Sequence, residues 1–580
     1  MTLIPILRAL PFILTTFLCA ATVVVFAQDA SPAPTKIVVS LPENPVEIAP
    51  TIYGQMLEDC NDRVIYDGVV GKNGEARPHV DRLLRDLEIP VVRWPGGTFV
   101  LEYQWERGVG PVDERPTVPV RCWGGVENHR FGTDEFLAWC ERVDTEPYIN
   151  LNANLHPDPE IGGSLEKSLA WIEYVVGDAS TPGGRKRAKN GRVEPYDVRY
   201  WCVGNEEWGG FGQGVKLNAE QYAALLDVWS TAISARFPDL ELLGVGHKAA
   251  WNETVLNRCG EKIDWLTQHY YVTAKIVDGK LLSPDATLFA PAQTEAHLRK
   301  LAKIVEAANV RLNRTERPIR LAVDEWNCRH SVGANGSTAR LTRQDARRLY
   351  DGVVVAGTLN AFVRTSPTVA MGTYIFPVNG HGVVKTVGEN DAYPTALYPI
   401  FQTYRRKIVG SRCDAAVSGP GVRSAEVKFA LEGDASGEKT ELPETLPYLD
   451  VVAASPDATS LNVAVVNRSS TEAQVANLEL PEGYVPVSKS ELVADGIDAA
   501  NAAEKRDAVV LKSSPVDAAE RSFAIPPCGF LLLECRRDVA KSRAYRRNCR
   551  RRRRLCSRRV FRDRLERVKT LLGNDRFARS

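Results

Sequence analysis

The sequence predicts an α/β protein: a (β/α)8 TIM barrel with a C-terminal all-β sandwich domain that takes in an N-terminal strand. Three observations lead there. Between Thr51 and about Gly410, short β-branched and aromatic runs alternate with amphipathic helical segments, the pattern of a parallel barrel. Past Gly410 the helical period stops, and short strands separated by turn residues read as a β-sandwich of roughly 120 residues. The chain also has 580 residues, enough for more than one core, since single cores rarely grow beyond about 250–300 residues.

In chain order, Arg8 precedes an apolar run from Ala9 to Phe26 that ends in Val25-Phe26-Ala27, a small-residue cleavage pattern. Residues 1–27 are expected to be a signal peptide and the protein to be exported, periplasmic or secreted; a retained N-terminal anchor is the alternative. No later stretch is long and apolar enough to span a bilayer, so no stable span is expected after signal cleavage. Residues 28–50 hold a Pro/Ala/Ser linker and a strand from Ile37 to Leu41 with no helix after it, which should pair with the sandwich.

Residues 51–410 form the expected barrel, with strands at Thr51–Leu57, Val91–Trp94, Pro147–Leu151, Val198–Val203, Leu240–Val245, Ile263–Tyr270, Ile319–Glu325 and Val369–Phe376. Val80, Leu83, Leu84 and Leu87 share one helical face. Thr133 is expected to cap a helix opening with Asp134 and Glu135, Asn218 and Gln221 to form a capping box, and Gly260 to end a helix. A doubly wound open sheet is the runner-up, but no Gly-rich dinucleotide fingerprint follows the first strand. Residues 411–536 supply sandwich strands at Leu449–Ala453, Leu461–Val466, Gln474–Leu480, Tyr484–Leu492, Ala508–Lys512 and Phe530–Leu533. Residues 537–580 are a basic tail, expected to be disordered.

The formal charge of +1 hides two unlike parts. From Arg536 to Ser580 there are 19 Lys+Arg against 4 Asp+Glu, a net of +15, which leaves 1 − 15 = −14 for the rest. An acidic body argues against a nucleic-acid-binding core. The 12 cysteines contain no C-x-x-C pair and read mostly as small buried hydrophobes, although export permits one or two disulfides.

The stretch RYWCVGNEEWGG, Arg199 to Gly210, carries the strongest chemical signal. A buried strand stops at Gly204, and Asn205, Glu206 and Glu207 follow at its C-terminal lip, where barrel active sites gather. A carboxyl leaving that strand beside Trp201 and Trp208 is partly desolvated, which suits it to donate a proton near neutrality. Its partner is Glu325, at the end of the similarly built strand IRLAVDEW. Glycoside cleavage uses two such carboxylates across the scissile bond.

The motifs IYGQMLED, RWPGG followed by YQWERGVGP, FGTDEFLAWC, WCVGNE, His269-Tyr-Tyr271 and VDEWN stand in the order found in glycoside hydrolase family 51, which this sequence resembles from about Lys36 to Arg405 and more weakly through the sandwich. The resemblance implies a retaining α-L-arabinofuranosidase with Glu206 as acid/base and Glu325 as nucleophile. It further implies Asn205 on the sugar 2-hydroxyl, Glu58 as a hydroxyl acceptor, Arg93 holding the nucleophile ionised, and His269 and Tyr271 beside it. Trp94 and Trp105 are candidates for stacking on sugar faces. Glu207 should face elsewhere, and Asp324 should point away from Glu325 if both lie in the strand. Thr98 stands where the family usually has Asn, and Phe376 where a sugar-binding Gln is expected, which puts the sugar in doubt rather than the mechanism. Neither metal nor cofactor is expected. The partner is a carbohydrate, an arabinose-containing polysaccharide or oligosaccharide, and the family allows a homo-oligomer. An exo-glycosidase of different sugar specificity, or a non-catalytic carbohydrate-binding protein, are the alternatives.

Overall fold

A computed structural model describes residues 34–333 and 340–538. The segment expected to be a signal peptide and the basic tail past residue 538 lie outside the described residues; among those described, no helix is long and apolar enough to cross a membrane. The first strand, Thr35–Ser40 (β1), belongs to the second domain. Eight parallel strands then close a barrel: Gly54–Met56 (β2), Val91–Trp94 (β3), Glu146–Leu151 (β4), Tyr200–Val203 (β5), Glu241–Gly244 (β6), Trp265–Val277 (β7), Arg320–Gly333 (β8) and Val369–Tyr374 (β9). Each pairs with the next, and β9 returns to β2.

Two strands outrun the sequence-based expectation. β7 and β8 continue past the rim as a paired arm, from Tyr271 opposite Asn327 to Val277 opposite Gly333. Paired with each other, they need no barrel to satisfy their backbone groups. The first barrel strand is shorter than expected, because Pro50 opens a 3-10 turn over Pro50–Tyr53 that takes up its N-terminal half.

Helix ends follow local chemistry. In Ala219–Arg236 (α1 here), Asn218 Oδ1 accepts the Gln221 N–H at 2.9 Å and Gln221 Oε1 accepts the Asn218 N–H at 2.9 Å, the reciprocal cap expected. Ala249–Cys259 (α2) stops at Gly260. Thr133 is not the cap of its helix. It is the first helical residue, its hydroxyl accepts from Trp171 Nε1, and the Glu135 carboxylate takes the Gly132 N–H instead, at 2.9 Å.

The second domain is a sandwich whose two sheets share Gly410–Ser418 (β10), a strand the sequence pattern did not mark. Ser411–Cys413 pair with Leu449–Ser455 (β11), while Asp414–Ser418 turn away to pair with β1. Ile37, Val39, Val451, Val463, Leu478, Phe523 and Leu533 fill the space between the sheets. The next strand, Ser460–Asn467 (β12), is buried along its whole length. Its Leu461, Val463 and Val465 face the sandwich core, and Ala464 and Val466 join the barrel core against the buried helix Leu349–Thr365 (α3). The final strand runs to Arg537, one residue into the segment read as tail. All nine described cysteines are unpaired thiols.

Candidate active site

The C-terminal mouth of the barrel opens into a cavity of about 810 Å³ lined by Glu58, Glu206, Tyr271, Glu325 and, at its rim, Trp123, Trp208, Phe211 and Arg343. A larger hollow of about 980 Å³ lies among the residues that open the barrel strands, such as Glu146, Arg199, Glu241 and Arg320, away from these carboxylates.

Glu206 follows the fourth barrel strand by three residues. It takes a left-handed φ of 52°, which non-glycine residues adopt rarely and which clusters at functional sites. Only 8% of it is exposed. That burial, with the Glu325 and Asp434 charges adding to it, raises its carboxyl above the usual range, while His269 pulls the other way.

Glu325 lies in β8, where the register against β9 slips between Val323 and Trp326. Its Oε1 accepts from Arg93 Nη1 at 2.9 Å, and its Oε2 accepts from the Tyr271 hydroxyl. Gly97 explains part of the RWPGG motif: a Cβ there would sit 2.3 Å from Glu325 Oε1, so any side chain would displace the carboxylate that Arg93 holds.

Beneath the cavity Arg93, 1% exposed, binds several groups at once. Nη1 also donates to the Asp324 carbonyl at 3.1 Å, Nη2 donates to Asn205 Oδ1 at 2.7 Å, and Nε lies 3.3 Å from Asp324 Oδ2. Asp324 does not point away from this centre as strict alternation requires. The slip in β8 brings its carboxylate to Arg93, to the Tyr148 hydroxyl at 2.9 Å and to His269 Nε2 at 3.3 Å. Although burial raises Asp324, Arg93 and His269 hold it below the usual range.

His269 stands between the acids. Its Nδ1 donates to Glu206 Oε1 at 2.7 Å and lies 3.6 Å from Glu325 Oε2. Burial works against its charge, but Glu325, Glu206 and Asp324 outweigh it and hold the ring well above the ordinary histidine range. One ligand atom each from Glu206, His269 and Glu325 lie within 4.8 Å of one another, so the two carboxylates share one pocket.

The remaining expected residues divide. Glu58 lines the cavity, and its Oε1 accepts from Gly97 N, Phe99 N and Trp123 Nε1 at 3.1, 2.8 and 3.1 Å; burial and the nearby Glu325 push its carboxyl up to about 7. Glu207 turns back to accept the Asn205 N–H at 2.9 Å and does not line the cavity. Trp94 is a correction. It is 1% exposed and stacks on Phe136 at 4.8 Å, edge-on to Tyr103 and Trp171, because its strand turns that side chain outward into the helical layer. Trp105 likewise stacks on Trp171. The accessible indoles are Trp123 and Trp208, both in Gly-flanked loops, which was the available sequence signal. Thr98 and Phe376 both line the cavity.

The chain is similar to known proteins. Residues 83–286 match the α-L-arabinofuranosidase 1 domain and residues 324–528 the α-L-arabinofuranosidase C-terminal domain. The chain is 31% identical to a probable α-L-arabinofuranosidase C of Aspergillus flavus, over 81% of this chain and 91% of that protein. It superposes on the arabinose complex of the Thermotoga maritima α-L-arabinofuranosidase with a TM-score of 0.73 at 26% identity, covering 87% of this chain and all of the other. The thermostable family 51 enzyme of Thermotoga petrophila gives 0.72 at 25% identity, over 86% and 99% of the two chains. The chain therefore belongs to the α-L-arabinofuranosidases of glycoside hydrolase family 51, glycoside hydrolases that release arabinofuranosyl residues.

Proposed function

We propose that the protein is a retaining exo-enzyme that removes terminal α-L-arabinofuranosyl residues by double displacement. Glu206 protonates the departing oxygen while Glu325 attacks the anomeric carbon and forms a covalent glycosyl-enzyme. Glu206 then takes a proton from water as that water releases the sugar. The observation that carries this reading is that Glu206 and Glu325 line one cavity, with a carboxylate oxygen of each within 4.8 Å of the other, so that a single sugar can meet both acids.

The surroundings support the division of labour. Glu325 receives hydrogen bonds from Arg93 and Tyr271, which suit an ionised nucleophile. Glu206 has the raised affinity for its proton that an acid needs. Asn205 Nδ2 is buried without a protein partner, although Asn205 itself does not line the cavity. All three donors to Glu58 fall on one oxygen, leaving the other for substrate. The natural substrates in this reading are side chains of plant polysaccharides or their oligomers, met by an exported enzyme.

The test is hydrolysis of an aryl α-L-arabinofuranoside by wild type, Glu325→Ala and Glu206→Ala. Loss of turnover in Glu325→Ala, and rescue of Glu206→Ala by azide on a substrate with a good leaving group, are expected. Full activity in Glu325→Ala overturns the assignment. Because Thr98 and Phe376 line the cavity, a panel of aryl glycosides measures how far they alter the sugar accepted.

A further inference from the structure

The segment that completes this site comes from outside the barrel. After the last barrel helix the chain returns as Leu431–Gly433, a short strand laid antiparallel on the β7 arm, with Tyr270 opposite Gly433 and Tyr271 opposite Glu432. Gly433 has φ +92°, and a Cβ on it would meet the His269 carbonyl oxygen at 2.4 Å, so the two backbones approach as closely as only glycine permits. That approach delivers Asp434, which is 1% exposed, to the underside of the pocket.

We propose that Asp434 is a positioning residue for the acid/base Glu206, because its one carboxylate holds both His269 and, through His247, the cavity-lining Trp208. Its Oδ2 accepts the backbone N–H of His269 at 2.7 Å, and that histidine's ring is the hydrogen-bond donor to Glu206. Its Oδ1 lies 2.7 Å from His247 Nδ1, and the His247 ring is stacked on Trp208 at 3.9 Å and 9°. Trp208 lines the cavity beside Glu206. Freed from Asp434, the His269 backbone and the His247–Trp208 stack lose a shared anchor. Glu325 depends on it less: it keeps its hydrogen bonds from Arg93 and Tyr271, while its approach to His269 is the longer 3.6 Å. The loss should therefore fall more on proton donation than on nucleophilic attack.

This inference rests on the acid/base assignment of Glu206, and the experiment separates the two. kcat/KM, which reports the first displacement, is measured on a nitrophenyl and on an alkyl α-L-arabinofuranoside for wild type, Asp434→Ala, Asp434→Asn and Glu206→Ala. The nitrophenolate leaves with little protonation; the alkoxide requires it. Asp434→Ala should lose roughly 10- to 100-fold on the alkyl substrate but no more than about 3-fold on the nitrophenyl one, as expected when a catalytic group is misplaced by a fraction of an ångström. Asp434→Asn can accept the His269 N–H and donate to the other tautomer of His247, and should restore the alkyl rate to within about 3-fold of wild type. An equal fall on both substrates, or wild-type rates on both, overturns the proposal. If Asp434→Ala does not fold, Asp434→Ser, too short to span both donors, carries the same comparison. Discrimination between the substrates by Glu206→Ala but not by the Asp434 variant sinks this inference alone; none by Glu206→Ala sinks the acid/base reading beneath it.

Discussion

Replacing Arg93 separates the electrostatic and geometric parts of the site. The guanidinium reaches Glu325, Asn205 and both the carbonyl and the carboxylate of Asp324, all at 2.7–3.3 Å and out of contact with water. Arg93→Met takes the guanidinium from two buried carboxylates and leaves them only His269, and breaking such a buried pair costs about 3–5 kcal/mol of stability. Arg93→Lys keeps the charge but has no planar fork, so it cannot serve Glu325 and Asn205 together. A hydrogen bond to a charged group contributes about 1.5–3 kcal/mol. Losing one such bond in the transition state lowers kcat/KM roughly 10- to 100-fold, at about 1.4 kcal/mol per decade. The assay pairs urea unfolding with kinetics on a nitrophenyl α-L-arabinofuranoside. Arg93→Lys should unfold close to wild type yet be slow, while Arg93→Met should be both unstable and slow. Wild-type stability and rate in Arg93→Met would refute this reasoning.

Other sites give sharper single readouts. Glu206 must be protonated for the first step and its carboxyl is raised by burial, so kcat/KM on an alkyl α-L-arabinofuranoside, whose departure needs the proton, should persist above the ordinary glutamate value and fall only as pH rises through the higher one; Glu206→Gln should lose most activity on that substrate and show no such limb in what remains, and the limb's survival would exclude Glu206 as the acid. Gly97→Ala places a Cβ against Glu325 Oε1 and should cut activity by about tenfold or more while the protein stays folded; unaltered kinetics would mean the loop yields freely. Asp324 is held below its ordinary value, so the stability it contributes is present in full above about pH 4, its unfolded value, and is lost as pH falls through the lower folded one. Asp324→Asn should thus be less stable than wild type at pH 7 with a shallower acid dependence, and identical pH–stability curves would show that its ion pairs contribute nothing.

Much of the barrel could be read from the chain because each strand and helix announces itself over a few neighbouring residues: β-branched runs, an Asn218–Gln221 cap, a terminal Gly260. The pairing of Glu206 with Glu325 was legible for the same reason, since each ends a buried run and barrel closure does the rest. What depends on contacts distant in the chain was not. Asp324 joins the site through a slip in β8 that no period of two reveals. Trp94 sits at the right height but on the outward side of its strand, a choice set by Phe136 and Trp171 packing against it. Asp434 comes from a Gly- and Ser-rich turn segment well past the barrel, where the chain carries no periodic signal; only the pairing of Gly433 with Tyr270 shows why it matters.

The most direct test of the account is to find the bond it requires. Glu206→Ala, given an activated nitrophenyl α-L-arabinofuranoside, should form the glycosyl-enzyme quickly and break it down slowly, and mass spectrometry of the digested protein should place one pentosyl group on the peptide carrying Glu325. No adduct under turnover conditions, or an adduct on another residue, would contradict it.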